Sequence, residues 1–190
     1  RGIPATALGS VVVTETLKRC GLSPELIDTL VFGPVIQAGS KMNPARRAVI
    51  GGGLPVSVPA MTVNRVCGSG AQAIITAALE IMAGQIRSAI AGGMENMDMA
   101  PYLLPNGRWG MRMGDGAVLD SMLLDGLNDA FSGQHSGWHT EDLVDRFQIS
   151  RQQQDAWALR SQQNFSAAQA AGKFDAEIVA VEVKGRKGPQ

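Results

Sequence analysis

The residue in this chain best suited to chemistry is Cys67, set in Val66-Cys67-Gly68-Ser69-Gly70. An alternating segment, Met61 to Val66, leads into it, and an apolar helical pattern follows from Ser69 towards Gln85. A cysteine between a strand and a helix start meets outward-pointing backbone N–H groups and the positive end of the helix dipole. That setting favours a thiolate, the form that attacks a carbonyl carbon. Gly68 and Gly70 remove bulk around the sulfur, so a substrate can approach the backbone closely. A second reading stands beside this one, because a free cysteine is also a small buried hydrophobe.

The other candidates are weaker on local grounds. His135 and His139 are the only histidines, both within Asp129 to His139 (DAFSGQHSGWH), which reads as a loop. A lone histidine is more often a hydrogen-bonded structural residue than a catalyst. Arg46 and Arg47 could contact substrate but read as solvated helix arginines. Cys20 ends a helical pattern before Gly21 and reads as packing. Neither histidine lies near a cysteine in sequence, so no metal cluster is expected, and two dissimilar cysteines suggest no disulfide framework. A reducing, cytosol-like compartment is the expectation.

Bulk composition narrows the function classes. The 190 residues are 45% hydrophobic and 18% charged, with 17 basic against 17 acidic side chains. This supports a real core, and the absence of a basic stripe argues against nucleic acid. No apolar run is long enough to span a bilayer. The chain opens at Arg1 without methionine, so an upstream segment, including a targeting one, is expected to be invisible here.

The elements that must hold Cys67 follow from pattern. A helix is expected over Pro4 to Cys20, with Leu8, Val11, Val12, Thr16 and Leu17 near one face and Gly21 past its end. Ser23 should cap a short turn begun by Pro24. Asp28 to Val35 (DTLVFGPV) reads as a strand buried on both faces. Asn43-Pro44 opens a helix to Ile50, ended by three glycines, and Pro55 to Ala60 reads as an extended approach. The helix from Ser69 stops at Gly84, and Ser88 to Ala91 forms a further short strand. This alternation indicates an α/β layer with mostly parallel strands, whose functional loops gather at the carboxyl ends. Cys67 and Gly92-Gly93 both fall there.

Beyond that core, Ala100 to Gly116 (APYLLPNGRWGMRMGDG) lacks a period and reads as a long loop, whose Leu103, Leu104, Trp109 and Met111 suit a partner surface. Val118 to Leu127 can supply a strand or short helix. Thr140 is expected to cap a helix over Glu141 to Phe147. Ser150 and Gln153 form a capping box opening a helix to Ala171, with Trp157 and Phe165 in core packing. Ile178, Ala180, Val181 and Val183 alternate as a strand, and Lys184 to Gln190 reads as an exposed loop.

Taken together, the motifs resemble those of the thiolase family, acetyl-CoA C-acetyltransferases and 3-ketoacyl-CoA thiolases. The matching stretches are Asn43 to Arg46 (NPAR), Val63 to Gly70 (VNRVCGSG), Ala91 to Met97 (AGGMENM), Ala100 to Pro105 (APYLLP), Asp125 to Leu127, Gln154 to Ala156, Ser161-Gln162, Phe174-Asp175 and Gly185 to Lys187. They occur in family order from one end of the chain to the other.

The resemblance implies a thiolase-like N-terminal α/β half, a mixed and mostly parallel sheet covered by helices, plus part of an inserted loop domain. Residues 1–97 would form the core with the nucleophile, and 98–190 part of the loop domain. Cys67 then becomes the acyl-accepting nucleophile, its backbone N–H a donor to the oxyanion. His135 matches the histidine of a His-Met-Gly loop bordering the pantetheine of coenzyme A. Ser136 replaces that loop's methionine, so the pantetheine and acyl wall, and with it the substrate length, should differ. His139 stands where threonine is usual, and Asp98 where serine is common.

The substrate implied is acetyl-CoA or another acyl-CoA, with coenzyme A as substrate and no covalently bound cofactor. The segment Trp109 to Gly116 corresponds to the region family tetramers use for association, so a homodimer or homotetramer is expected of the intact protein, in the cytoplasm or an organellar matrix. The family's Gly-His-Pro base, Asn-Glu-Ala-Phe and Cys-Gly-Gly-Gly motifs do not occur here, nor does its first strand. The adenine- and phosphate-binding loop would lie beyond Gln190. A C-terminal thiolase domain is therefore expected to be absent from this chain, which should not turn over alone. The alternatives are a non-catalytic thiolase-like protein binding acyl-CoA or lipid, or an oligomerisation fragment.

Overall fold

A computed structural model describes residues 2–185 and 188–189. Its organising strand is β1 (Thr29–Gly33), all five residues of which are buried. Leu30, Val31 and Phe32 explain why: alternate side chains of a strand point to opposite faces, and here both faces are apolar. Leu30 and Phe32 pack with Val13, Leu17, Ala45, Ala48 and Val49, whereas Val31 packs with Ala73 and Ala77. Helices α1 (Ala5–Cys20) and α2 (Pro44–Gly51) thus cover one face and α3 (Ser69–Met82) the other.

Two parallel neighbours flank β1. On one side Leu30, Val31 and Phe32 pair with Ala60, Met61 and Thr62 of β2 (Ala60–Thr62). On the other, Thr29 to Gly33 pair in register with Ala89 to Gly93 of β3 (Ala89–Gly93). The order is β2-β1-β3. The parallel α/β arrangement expected from the helix–strand alternation is therefore present. β3 runs two residues further than its apolar run suggested, with only Ile90 fully buried.

The helix limits follow local rules. Asn43 Oδ1 accepts from Arg46 N–H at 3.2 Å, Pro44 occupies the first turn of α2, and Gly21 closes α1 in the left-handed conformation. The buried face of α1 is Thr6, Gly9, Val13 and Leu17; of the expected Leu8, Val11, Val12, Thr16 and Leu17, only Leu17 lies on it. Gly9 is the reason. A Cβ there would lie 2.6 Å from Met94 Sδ and 3.3 Å from Ala48 Cβ, so a small residue lets α1 settle against its neighbours. Val12 stays exposed.

Several local expectations need correcting. Pro55 to Ala60 is not extended but turns at 56–58, and β2 ends at Thr62 rather than Val66. Arg46 and Arg47 are half-buried rather than solvated. Arg46 Nη2 donates to Val56 O at 2.6 Å and Nη1 to Val58 O, holding that turn, while Arg47 Nη1 donates to Ser40 O at 3.2 Å. Ser23 begins the Pro24–Leu26 turn without a side-chain cap, because its hydroxyl donates to Glu25 instead. Cys20 is exposed, one turn beyond the last buried residue of α1, so packing is not its role.

The long Ala100 to Gly116 stretch is closed at its base by a short antiparallel pair, β4 (Tyr102–Leu103) and β5 (Leu119–Asp120). A turn of π-helix follows at Leu123–Leu127. Compactness divides the chain into Arg1–Gly126 with Val181–Gln190, and Leu127–Ala180.

The second unit carries α4 (Ser136–Phe147) and α5 (Arg151–Ala170). α4 begins at Ser136, not after Thr140, since the His135 ring caps it. His139 therefore lies on a helix and not in a loop. α5 opens with the expected capping box: Ser150 Oγ accepts from Gln153 N–H at 3.3 Å and Gln153 Oε1 from Ser150 N–H at 2.8 Å. Neither helix contains a buried residue. Trp157 and Phe165, expected in a core, are exposed; Phe165 stacks on Phe174 at 5.5 Å, and Arg160 lies 3.9 Å over the Trp157 ring.

The expected strand over Ile178 to Val183 is irregular chain, and these residues pair with no strand among the described residues. In place of a loop over Lys184 to Gln190, β6 (Lys184–Gly185) pairs antiparallel with β7 (Gly188–Pro189). Arg186, Lys187 and Gln190, and so two residues of the Gly185-Arg186-Lys187 motif, lie outside the described residues. Among the described residues, no helix is long and apolar enough to cross a membrane.

Candidate active site

The three parallel strands direct their following loops to one end of the sheet, and Cys67 belongs to the loop after β2. Val63 N–H still bonds Phe32 O at 3.0 Å, after which the chain leaves the sheet. Asn64 Oδ1 accepts from Val66 N–H at 2.9 Å, an asparagine side chain bonding the backbone two residues on. Ser69 Oγ accepts from Arg65 N–H at 2.8 Å and donates to Val66 O at 2.6 Å. Gly68 and Ser69 N–H bond Arg65 O and Val66 O at 3.1 and 3.0 Å.

These bonds enforce an unusual backbone. Val66 has φ +50°, in the left-handed region that a β-branched residue rarely occupies. Such a conformation costs on the order of 1–3 kcal/mol and persists only where its surroundings over-determine it. Here five hydrogen bonds do so, three of them made by the Asn64 and Ser69 side chains. Of the N–H groups from Arg65 to Ser69, only that of Cys67 has no acceptor among the described residues. The Cys67 side chain is exposed and its Sγ accepts and donates no hydrogen bond among them. The buried-hydrophobe reading of this cysteine is thereby excluded. Gly68 is the N-cap of the fourteen-residue α3, so the sulfur sits by the positive end of that helix.

The helix start is pressed against the sheet. A Cβ on Gly33, the last residue of β1, would lie 2.5 Å from the Ser69 backbone carbon. Glycine is what allows α3 to begin so close to the strand. Val35, just beyond, is gripped from two loops. Glu95 Oε2 accepts from its N–H at 2.6 Å and from Ile36 N–H at 3.3 Å, while Asn64 Nδ2 donates to its carbonyl at 3.3 Å. The loops after β1, β2 and β3 are thus tied together through Asn64, Val35 and Glu95. In the sequence, VNRVCGSG and AGGMENM mark this region, but no part for Asn64, Ser69 or Glu95 is legible there. Asparagine two residues before a non-glycine turn is the signal that could have found Asn64.

His135 and Ser136, the other expected site residues, stand together at the start of α4. His135 Nδ1 accepts from Gly137 N–H at 3.0 Å, which leaves Nε2 as the N–H of the neutral ring. Ser136 is the first residue of α4, and its carbonyl accepts from Thr140 Oγ1 at 3.3 Å. Both are exposed. His139 borders a shallow groove with Gln134, Trp138 and Asp142. Its Nε2 lies 2.9 Å from Ser132 Oγ and 3.9 Å from Asp129, and its Nδ1 is 3.9 Å from Asp142. The Ser132 N–H holds the Asp129 carboxyl below the usual range, aided by the Ser132 hydroxyl, Phe131 N–H and the nearby His139. Cys67 belongs to the first compact unit, and His135, Ser136 and His139 to the second. Among the described residues, no group of three or more His, Cys, Asp or Glu side chains is arranged to hold a metal.

The family model for the thiolase N-terminal domain matches residues 1–190. An acetyl-CoA acetyltransferase of Cupriavidus necator is 49% identical over 186 residues, 98% of this chain and 47% of the relative. A probable acetyl-CoA acyltransferase of Staphylococcus epidermidis is 50% identical over 188 residues, 99% of this chain and 48% of the relative. An acetyl-CoA acetyltransferase of Pseudomonas aeruginosa is 46% identical over 187 residues, 98% and 48% of the two chains. The chain spans about half the length of the curated relatives it matches. With its whole length matched and its parallel α/β core ending in the VNRVCGSG turn, the chain belongs to the thiolase family.

Proposed function

We propose that the protein is an acyl-CoA acyltransferase of the acetyl-CoA acetyltransferase type, forming or cleaving 3-ketoacyl-CoA through an acyl-cysteine at Cys67. One observation carries this reading: Cys67 is an exposed cysteine at the amino end of α3 whose own N–H is unengaged among the described residues. The names of the similar proteins support the same reaction class.

The chemistry follows from sulfur and from that N–H. The Cys67 thiolate attacks the carbonyl carbon of an acyl thioester, and the carbonyl oxygen gains charge that the N–H and the helix dipole can stabilise. Collapse expels the leaving group, the coenzyme A thiolate from acetyl-CoA or the enolate of acetyl-CoA from a 3-ketoacyl-CoA. The acyl group then passes to coenzyme A in cleavage, or to the deprotonated methyl of a second acetyl-CoA in synthesis. Coenzyme A is a substrate in both directions. His135 and Ser136 border its pantetheine in this reading, and serine in place of methionine changes the wall against which the acyl chain rests. Residues 1–97 act as the catalytic core and 98–190 as part of a loop domain. The exposed Trp109, Met111 and Met113 support a role for their loop in assembling a homodimer or homotetramer. A cytoplasmic setting suits these substrates.

Incubation of the full gene product with acetyl-CoA should add one acetyl group per chain, abolished by Cys67→Ala; acetylation that survives the substitution contradicts the reading. The 190-residue species alone should not turn over, because no general base hydrogen-bonds Cys67 Sγ among the described residues. Its Cys67 should react with iodoacetamide at the rate of an ordinary thiol. A rate equal to that of an intact thiolase would refute this part.

A further inference from the structure

We propose that Asn64 and Ser69 are positioning residues for acyl transfer: they pin the Arg65–Val66 turn so that the Cys67 N–H faces the carbonyl oxygen of the incoming thioester. The inference rests on Cys67 being the acyl acceptor.

Left to its own preference, Val66 would leave the left-handed region, and the peptide between Val66 and Cys67 would rotate with it. That peptide carries the Cys67 N–H. Asn64 opposes the rotation by accepting from Val66 N–H at 2.9 Å, and is itself fixed by donating to Val35 O at 3.3 Å. Ser69 opposes it from the helix side. It is only 3% exposed, and its hydroxyl bridges Arg65 N–H at 2.8 Å and Val66 O at 2.6 Å. Val66 O belongs to the same peptide as the Cys67 N–H, on its opposite side. A bond that fixes the direction of the carbonyl therefore fixes the direction of the N–H. The two side chains leave one donor of the turn unspent, the one an oxyanion needs.

Acylation and alkylation of the same sulfur separate this role from a general one. With p-nitrophenyl acetate the thiol loses its proton to solvent, the S–C bond to the acetyl carbon forms through a tetrahedral oxyanion, and p-nitrophenolate leaves with the electron pair of the ester C–O bond. With iodoacetamide the sulfur displaces iodide at a saturated carbon, and no oxyanion arises. Asn64→Ala should therefore lower the acylation rate of Cys67 by about tenfold or more while leaving alkylation within about twofold, a fraction of the hundredfold or more that loss of a whole oxyanion donor costs. Ser69→Ala should do the same. Asn64→Asp keeps the acceptor for Val66 N–H but loses the donor to Val35 O, so it should restore only part of the acylation rate.

Asn64 is exposed, so its variants test the idea even where Ser69→Ala disturbs folding. Equal acylation in Asn64→Ala and the unsubstituted protein overturns the proposal, as does a parallel fall in both reactions. Cys67→Ala supplies the separate control. Should it acylate as fast as the parent, the assignment of the nucleophile fails, not the positioning argument.

Discussion

The two compact units of this chain obey the same sequence rules and end in opposite states of burial. In the first, Leu30, Val13, Val31 and Val49 are wholly enclosed. In the second, α4 and α5 bury nothing, and Trp138, Leu143, Phe147, Trp157, Leu159 and Phe165 stand exposed. α4 carries an apolar face as the helices of the first unit do, whereas α5 is nearly even around its circumference. Only the first has a strand whose two faces demand layers on either side. Periodicity states that a face wants covering, and the sheet supplies the cover for α1, α2 and α3. The helices of the second unit rely instead on caps and on local pairs such as Arg151 with Asp155 at 2.8 Å.

The sharpest way to break this contrast is to truncate one large side chain in each unit. Leu30→Ala should lower stability by about 2–5 kcal/mol, since it opens a cavity in a fully packed core. Trp157→Ala should change it by no more than about 0.5 kcal/mol. Urea denaturation of both variants measures this, and equal losses would abolish the distinction. Next comes Ser150→Ala, which removes half of the capping box and should cost α5 about 1 kcal/mol. Hydrogen exchange should show faster exchange confined to the first turn of α5, with β1 unaffected.

A smaller effect is expected at Val66→Gly. Glycine occupies φ near +50° without steric cost, offset in part by its greater freedom in the unfolded chain, so stability should rise by about 0.5 kcal/mol. A fall on thermal denaturation would show that the valine is not strained.

The smallest effect sets one aspartate in each unit side by side. Arg87 and Ser88 N–H donate to Asp28 at 2.7 and 3.2 Å and hold its carboxyl below the usual range. Its charged form is favoured by folding, so its contribution is present above the unfolded pKa and lost as pH falls through the lower folded one. Asp28 links the start of β1 to the approach to β3, and Asp28→Asn should flatten the acid limb of global stability. Asp129 is also shifted down but serves its own loop. Asp129→Asn should leave that limb unchanged in a pH series of denaturation curves.

What was legible in the sequence follows the same division. Asn43-Pro44, the Leu30-Val31-Phe32 run and the Ser150–Gln153 box each declare an element through local chemistry, and each stands where expected. The buried face of α1 was not legible, because it is chosen by what Gly9 allows to approach and not by apolar count. The sequence points to Thr140 as the cap of α4 because threonine is the more familiar cap, whereas the His135 ring takes that place five residues earlier. At the site, Cys67 is marked by its glycines and by the helix behind it. The turn that presents it is not, since nothing about valine suggests a left-handed backbone. Asn64 and Ser69 acquire meaning only from the bonds they make in three dimensions.

The central question is whether Cys67 differs chemically from Cys20, which is also exposed and outside any disulfide but whose Sγ donates to Leu17 O at 3.4 Å. Peptide mapping of the full gene product after incubation with acetyl-CoA tests this most directly. The account predicts a single acetyl group on the peptide carrying Cys67 and none on that carrying Cys20. Acetylation of both, or of Cys20 alone, would contradict it.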